Sequence, residues 1–120
     1  MHQIPDSVAE SSTTTGTGVF TVLGALAGHF TLAARVAVGD TFSYVIKAVD
    51  ASGNFTGEHE TGIGTMTAAT TFSRDTLVAS STGVLVSFAA GTKYVFATIN
   101  SRDVRQLGHQ IAASMFLHSL

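Results

Sequence analysis

The chain has no cysteine, no tryptophan and a single proline, and only 12% of its 120 residues are charged. The lack of cysteine excludes disulfide frameworks, thiolate metal sites and cysteine nucleophiles together. Six lysines and arginines stand against eight aspartates and glutamates, a formal net charge of −2, and the basic residues are scattered. Nucleic-acid binding needs clustered cations that displace counterions from phosphate, so it is not expected. No run of 18 apolar residues occurs, and the opening MHQIPDSVAE lacks the basic-then-apolar order of a signal peptide. The expectation is a chain made in the cytoplasm, with no membrane contact.

What the sequence does hold is a large share of hydrophobic residues, 45%, mixed with threonine, serine, alanine and glycine. The length suits one domain with one core. A surface with so few charges is poorly defended against association, so a homo-oligomer or a component of a larger assembly is expected.

The strongest local signal is period-two alternation rich in β-branched residues. From Thr41 to Val49 it sets Phe42, Tyr44, Ile46 and Ala48 on one face and Ser43, Val45, Lys47 and Val49 on the other. Asp50-Ala-Ser-Gly-Asn54 then reads as a turn into a second strand over 55–61, a β-hairpin. Further strands are expected over 64–69, 76–80, 84–88 and 93–99, punctuated by glycine-containing turns. The fold class is therefore all-β, an antiparallel sandwich or small barrel. Phe20, Phe42, Phe72, Phe88 and Phe96 fall within apolar alternation and are expected in the core, with Tyr44 and Tyr94 also facing inward.

Residues 101–120 break the pattern. Val104, Leu107, Ile111, Met115 and Phe116 form one stripe at helical spacing, with Asn100 or Ser101 available as N-cap, so a short amphipathic helix is expected. It would pack on its own sheet or dock on a neighbouring subunit. The expected division is an N-terminal extension over 1–9, the β domain over 10–100 and the helix over 101–120.

Chemistry-bearing motifs are few. The stretch SSTTTGTGVFTV over 11–22 has Gly16 and Gly18 but neither the third glycine of a dinucleotide loop nor the lysine of a phosphate loop, and strand-like residues follow it. It reads as the first strand of the domain, with the two glycines at a bulge or a close approach of another backbone. Thr13, Thr14, Thr15, Gly16 and Gly18 are thus candidate contacts between subunits, together with the helical stripe. His59 sits between Glu58 and Glu60, but on a strand it points away from both, so the three do not converge on a metal, and the carboxylates read as a solvated strand face. His29, His109 and His118 are too distant in sequence to be assigned as partners. Ser73-Arg-Asp75 and Ser101-Arg-Asp103 repeat a tripeptide without the nucleophile elbow of a hydrolase, and chance, or two similar turn and cap uses of Ser and Asp, accounts for them. No catalytic residue, cofactor or metal is assigned, and no enzyme activity is expected.

Several segments taken in order resemble a family. Asp6-Ser-Val8 leads into Thr13-Thr-Thr-Gly-Thr-Gly-Val-Phe-Thr-Val22. There follow Gly39-Asp-Thr-Phe-Ser-Tyr-Val-Ile46, Gly62-Ile-Gly-Thr-Met-Thr67, Phe72-Ser-Arg-Asp-Thr-Leu-Val-Ala-Ser-Ser81 and Val86-Ser-Phe-Ala-Ala-Gly-Thr-Lys-Tyr-Val-Phe-Ala-Thr98. This series resembles a small β module of tailed-bacteriophage virion proteins. The resemblance implies a structural, non-enzymatic part of the virion, decorating the capsid or attached to the neck, tail or fibre, with other virion proteins as partners. Two departures stand out: His59 replaces the aromatic, often tryptophan, that the family tends to carry before the G-x-G-T strand, and only residues 101–120 follow the module where a fibre chain often does. A small accessory virion protein is the resulting expectation, with a glycan-binding module for host attachment as the alternative.

Overall fold

The computed structural model describes residues 1–104; Leu107, Ile111, Met115 and Phe116 lie outside the described residues. The strands are β1 (His2–Gln3), β2 (Val8–Ser12), β3 (Phe20–Thr21), β4 (Gly24–Ala25), β5 (Thr41–Val49), β6 (Phe55–Ala68), β7 (Thr71–Ser80) and β8 (Lys93–Ala97). They join in one sheet of order β3-β7-β6-β5-β8-β2-β4, with β1 added in parallel beside the start of β5. The sheet is antiparallel apart from β1 and curls into a half-barrel, so the all-β expectation holds.

β5 takes the bounds that alternation gives it, and Phe42, Tyr44, Ile46 and Ala48 are all buried. The turn after it is held by Asp50, whose carboxylate accepts from the backbone N–H groups of Ser52 and Asn54 while Gly53 adopts φ +83°. The expected strands over 55–61 and 64–69 are one strand, β6, which pairs with β7 through three register shifts. One short helix, α1 (Leu32–Arg35), was not anticipated. Thr31 caps it through its hydroxyl, and the buried Glu10 carboxylate accepts from the Leu32 N–H at 2.8 Å, where the first-turn donors favour an anion.

The concave face of the sheet holds the core. Phe20, Phe42, Tyr44, Phe72 and Phe88 pack ring against ring, with centroids 5.2 to 6.4 Å apart. Gly62 and Gly64 on β6 are hemmed in by backbone carbonyls of β7 and, at Gly62, also by the Tyr44 ring. A Cβ on Gly62 would stand 2.4 Å from the Thr76 carbonyl oxygen and 2.6 Å from the Tyr44 hydroxyl; one on Gly64 would stand 2.3 Å from the Ser73 carbonyl oxygen. Ring and backbone approach too closely there for any side chain.

Inside this apolar face lies an ion pair. Arg74 on β7 and Glu60 on β6 are both buried, with a guanidinium to carboxylate distance of 3.1 Å. Glu60 Oε2 accepts from the Tyr44 hydroxyl at 2.5 Å, and Oε1 also accepts from the Val86 N–H at 2.7 Å. Arg74 donates in turn to the carbonyls of Gly16, Gly18 and Val86, and its guanidinium sits 5.0 Å from the Phe20 ring centroid. Every buried side-chain polar atom among the described residues has a partner, as the cost of burying such groups requires.

This pair overturns three expectations. Glu60 is not part of a solvated strand face but wholly buried. Residues 84–88 form no strand: the Val86 N–H and C=O, which a ladder would use, are taken by Glu60 and Arg74, and only Phe88 bridges to Gly16. The stretch 11–22 is likewise not one strand; it leaves β2 at Ser12 and re-enters the sheet at Phe20, because residues 16 and 18 turn their carbonyls to Arg74. Residues 1–9, expected as an extension, supply β1 and the start of β2.

Two stability predictions follow from the core. Gly62→Ala should lose about 3 kcal/mol or more in urea unfolding, since the obstacle is backbone and cannot rotate away; a loss no larger than that of an exposed alanine substitution would remove the close approach. Glu60→Gln should cost about 3–5 kcal/mol by leaving Arg74 buried without its counter-charge, and Glu60→Leu combined with Arg74→Met should cost less than the two single changes summed. Additive losses would show that the two side chains act independently.

Candidate interaction surface

Three polar constellations stand out in the folded chain. In the first, His59 is exposed on the convex face while Glu60 is buried beneath the sheet, so the Glu-His-Glu sequence diverges as alternation requires. The His59 ring bonds locally to the Gly57 carbonyl at 3.2 Å. No group of three His, Asp or Glu residues suited to a metal occurs among the described residues.

The second comprises the repeated Ser-Arg-Asp tripeptides, which part company. In 101–103 the tripeptide opens a helical turn: Asn100 Oδ1 accepts from the Arg102 and Asp103 N–H groups, and Asp103 Oδ2 accepts from the Asn100 N–H. That is a reciprocal capping box, with Asn100 as the N-cap. In 73–75, by contrast, the arginine is the buried Arg74 of β7, and Asp75 accepts from the Thr65 hydroxyl across the strands at 2.6 Å. Only the second copy has a cap role and the first lies within β7, so of the two expectations, chance or shared turn and cap uses, chance repetition is the one that fits.

The third constellation has no signal in the sequence, because its members are 101 residues apart. His2 Nδ1 lies 2.7 Å from Thr41 Oγ1, and His2 Nε2 lies 2.9 Å from Asp103 Oδ1, while the Ser43 hydroxyl donates to Asp103 Oδ2 at 2.5 Å. A hydroxyl, an imidazole and a carboxylate in series have the composition of a nucleophilic triad. Here each bond joins a different pair of segments, β1 to β5 and β1 to the 100–103 turn, and the same carboxylate closes the capping box. Nearby, the N-terminal ammonium and Gln3 both donate to Asp40, and these bonds hold its carboxyl below the ordinary value.

The convex face is different in kind. Cross-strand register lines up Ala9, Phe96, Val45 and Thr61 in one row and Ser11, Tyr94, Lys47 and His59 in the next. Tyr94 and Phe96 are therefore not core residues: they are half-buried on the outer face, edge to face with centroids 6.5 Å apart. Lys93, Val95 and Ala97 take the inner positions of β8. Lys93 tolerates this by donating to the carbonyls of Ala89 and Gly91, and burial holds its pKa below the usual lysine value.

Beside Tyr94 and Phe96 runs a groove of about 410 Å³. Val45, Lys47 and Phe55 form one wall, Phe96, Ala97 and Thr98 the floor, and Ser7, Val8 and His29 the other wall. Phe55 is 61% exposed, and the Lys47 ammonium lies 5.0 Å from its ring centroid. A smaller hollow of about 190 Å³ lies on the far side of Phe55, against Gly57, Glu58 and His59.

The residues expected at subunit contacts are spread out. Thr13, Thr15 and Gly18 are exposed, Gly16 is half-buried, and Val104 is exposed at the end of the described chain. Thr14 turns its hydroxyl inward, accepting from the Thr21 N–H at 3.0 Å. The close backbone approach anticipated at Gly16 exists, but within the chain: Gly16 and Phe88 exchange backbone hydrogen bonds of 3.0 and 3.3 Å. No helix among the described residues is long and apolar enough to cross a membrane. No family model, curated protein or solved structure matches the chain.

Lys93 yields a pH prediction. With its pKa lowered in the folded state, the folded chain binds fewer protons than the unfolded chain between that lowered value and 10.5, so stability rises with pH across that window. The unfolding free energy of the parent chain should therefore rise relative to that of Lys93→Met between pH 7 and about 10.5. A constant difference would show that Lys93 is not held against its charge.

Proposed function

We propose that the chain is a non-enzymatic structural protein of a tailed-bacteriophage virion. It is made in the host cytoplasm and bound in multiple copies, as a capsid decoration or as an accessory or attachment module of the neck or tail. The observation that carries this reading is the division of labour between the two faces of the sheet. The ionisable groups of the concave face are committed to the architecture, whereas the convex face exposes an apolar and aromatic surface around Phe55, Val45, Tyr94 and Phe96. Such a patch on a weakly charged surface suits burial against other proteins. The resemblance of the ordered segments between Asp6 and Thr98 to virion modules supplies the setting. The helical stripe of residues 101–120, read from the sequence, would add a second apolar contact and help complete a barrel-like or sandwich-like fold.

A glycan-binding attachment module remains the second reading, favoured by the aromatic ledge of Tyr94 and Phe96 on the outer face. Tyr44, buried beneath the sheet, has no part in it.

Particles of the phage encoding the chain, purified through a density gradient and probed with antibody to it, should carry the protein at a fixed number of copies, labelled at repeated positions on head or tail. Recovery only in the unassembled fraction would refute the structural reading. Saturable binding of an oligosaccharide that is lost in Tyr94→Ala would instead favour the glycan reading.

A further inference from the structure

The groove beside Phe55 is chemically one-sided. None of its nine lining residues is acidic, while Lys47 and His29 stand on its two walls. Among the described residues Lys47 has no carboxylate within ion-pair distance, and its one partner is the Phe55 ring. The other cations of the sheet are placed differently: Arg74 donates to Glu60 and three carbonyls, and Lys93 to two carbonyls. A ring over one side of an ammonium limits its motion and leaves its N–H donors free for an anion.

We propose that this groove binds an extended segment of a partner protein in which a glutamate or aspartate is flanked by apolar side chains. The carboxylate pairs with Lys47, and the apolar neighbours lie on Phe55, Val45 and Phe96. This rests on the reading of the chain as an assembly module and names the chemistry of its partner. A carboxylate fits better than a phosphate, because phosphate sites typically present an arginine fork or several donors and this groove offers one ammonium. A peptide fits better than an engulfed small molecule, since Phe55, the main apolar wall, is itself mostly exposed and the groove lies open along the strands.

The test is a titration of the 15N-labelled full chain with a blocked peptide, acetyl-Ser-Leu-Glu-Phe-Thr-Ser-amide, and with its Gln counterpart. The Glu peptide should shift the amides of Val45, Lys47, Phe55 and Phe96 saturably and bind roughly tenfold more tightly than the Gln peptide, as expected for a charge-assisted hydrogen bond. Lys47→Met, which keeps most of the apolar stem, should erase that preference with an unchanged melting temperature; Phe55→Ser should weaken both peptides. Equal affinity for Glu and Gln peptides, a preference that survives Lys47→Met, or no shift at the groove at any accessible concentration would each overturn the proposal. Saturation of the same amides by a neutral saccharide such as maltotriose, without peptide binding, would overturn it in favour of a glycan. These outcomes are separable from the virion reading: chain found on particles with a groove indifferent to acid leaves that reading standing, and an acid-selective groove on a chain absent from particles does the reverse.

Discussion

The structure depends on the contact between Arg74 and Glu60. A half-barrel with short edge strands leaves its concave side to be covered by loops, and loops bring backbone N–H and C=O groups that need partners. The ion pair supplies them. Its guanidinium and carboxylate bond the backbone at Gly16, Gly18 and Val86, so two irregular segments can lie against the core without a ladder. The Tyr44 hydroxyl completes the carboxylate's shell, and with the Thr76 carbonyl it leaves no room for a side chain at Gly62 on the neighbouring strand. One polar cluster thus links three strands and two loops, and its chemistry is spent on holding them.

That commitment shapes the functional reading. The nucleophile-like and metal-like motifs resolve into a capping box, a buried ion pair and a clasp between β1, β5 and the 100–103 turn. The convex face keeps its apolar side chains and a cation, Lys47, that has no counter-charge among the described residues. A protein whose concave face is closed and whose convex face exposes apolar side chains is suited to binding, and the proposed function takes other virion proteins as the partners.

Much of the sheet was legible because alternation is a local property. β5 follows from its residues alone, and so does the turn over 50–54, while of the two N-cap candidates, Asn100 and Ser101, the fold uses Asn100. Two of the failures share a physical origin, polar side chains working at inward positions. Lys93 points inward, so the alternation of β8 places Tyr94 and Phe96 outside, whereas reading the aromatics as core reverses the strand. Residues 84–88 look like a strand by composition, but their backbone partners are the side chains of Glu60 and Arg74, which lie 26 and 12 residues away from Val86. The clasp of His2 on Asp103 spans 101 residues and has no local trace.

Amide hydrogen exchange at Val86 in the free chain tests most directly whether the ion pair holds the loops in place of a ladder. The N–H of Val86 sits in a segment with no strand pairing of its own, yet it donates to a buried carboxylate. The account predicts protection comparable to that of β5, lost together with the core in Glu60→Gln. Exchange as fast as that of the exposed residues 81–84 would contradict it.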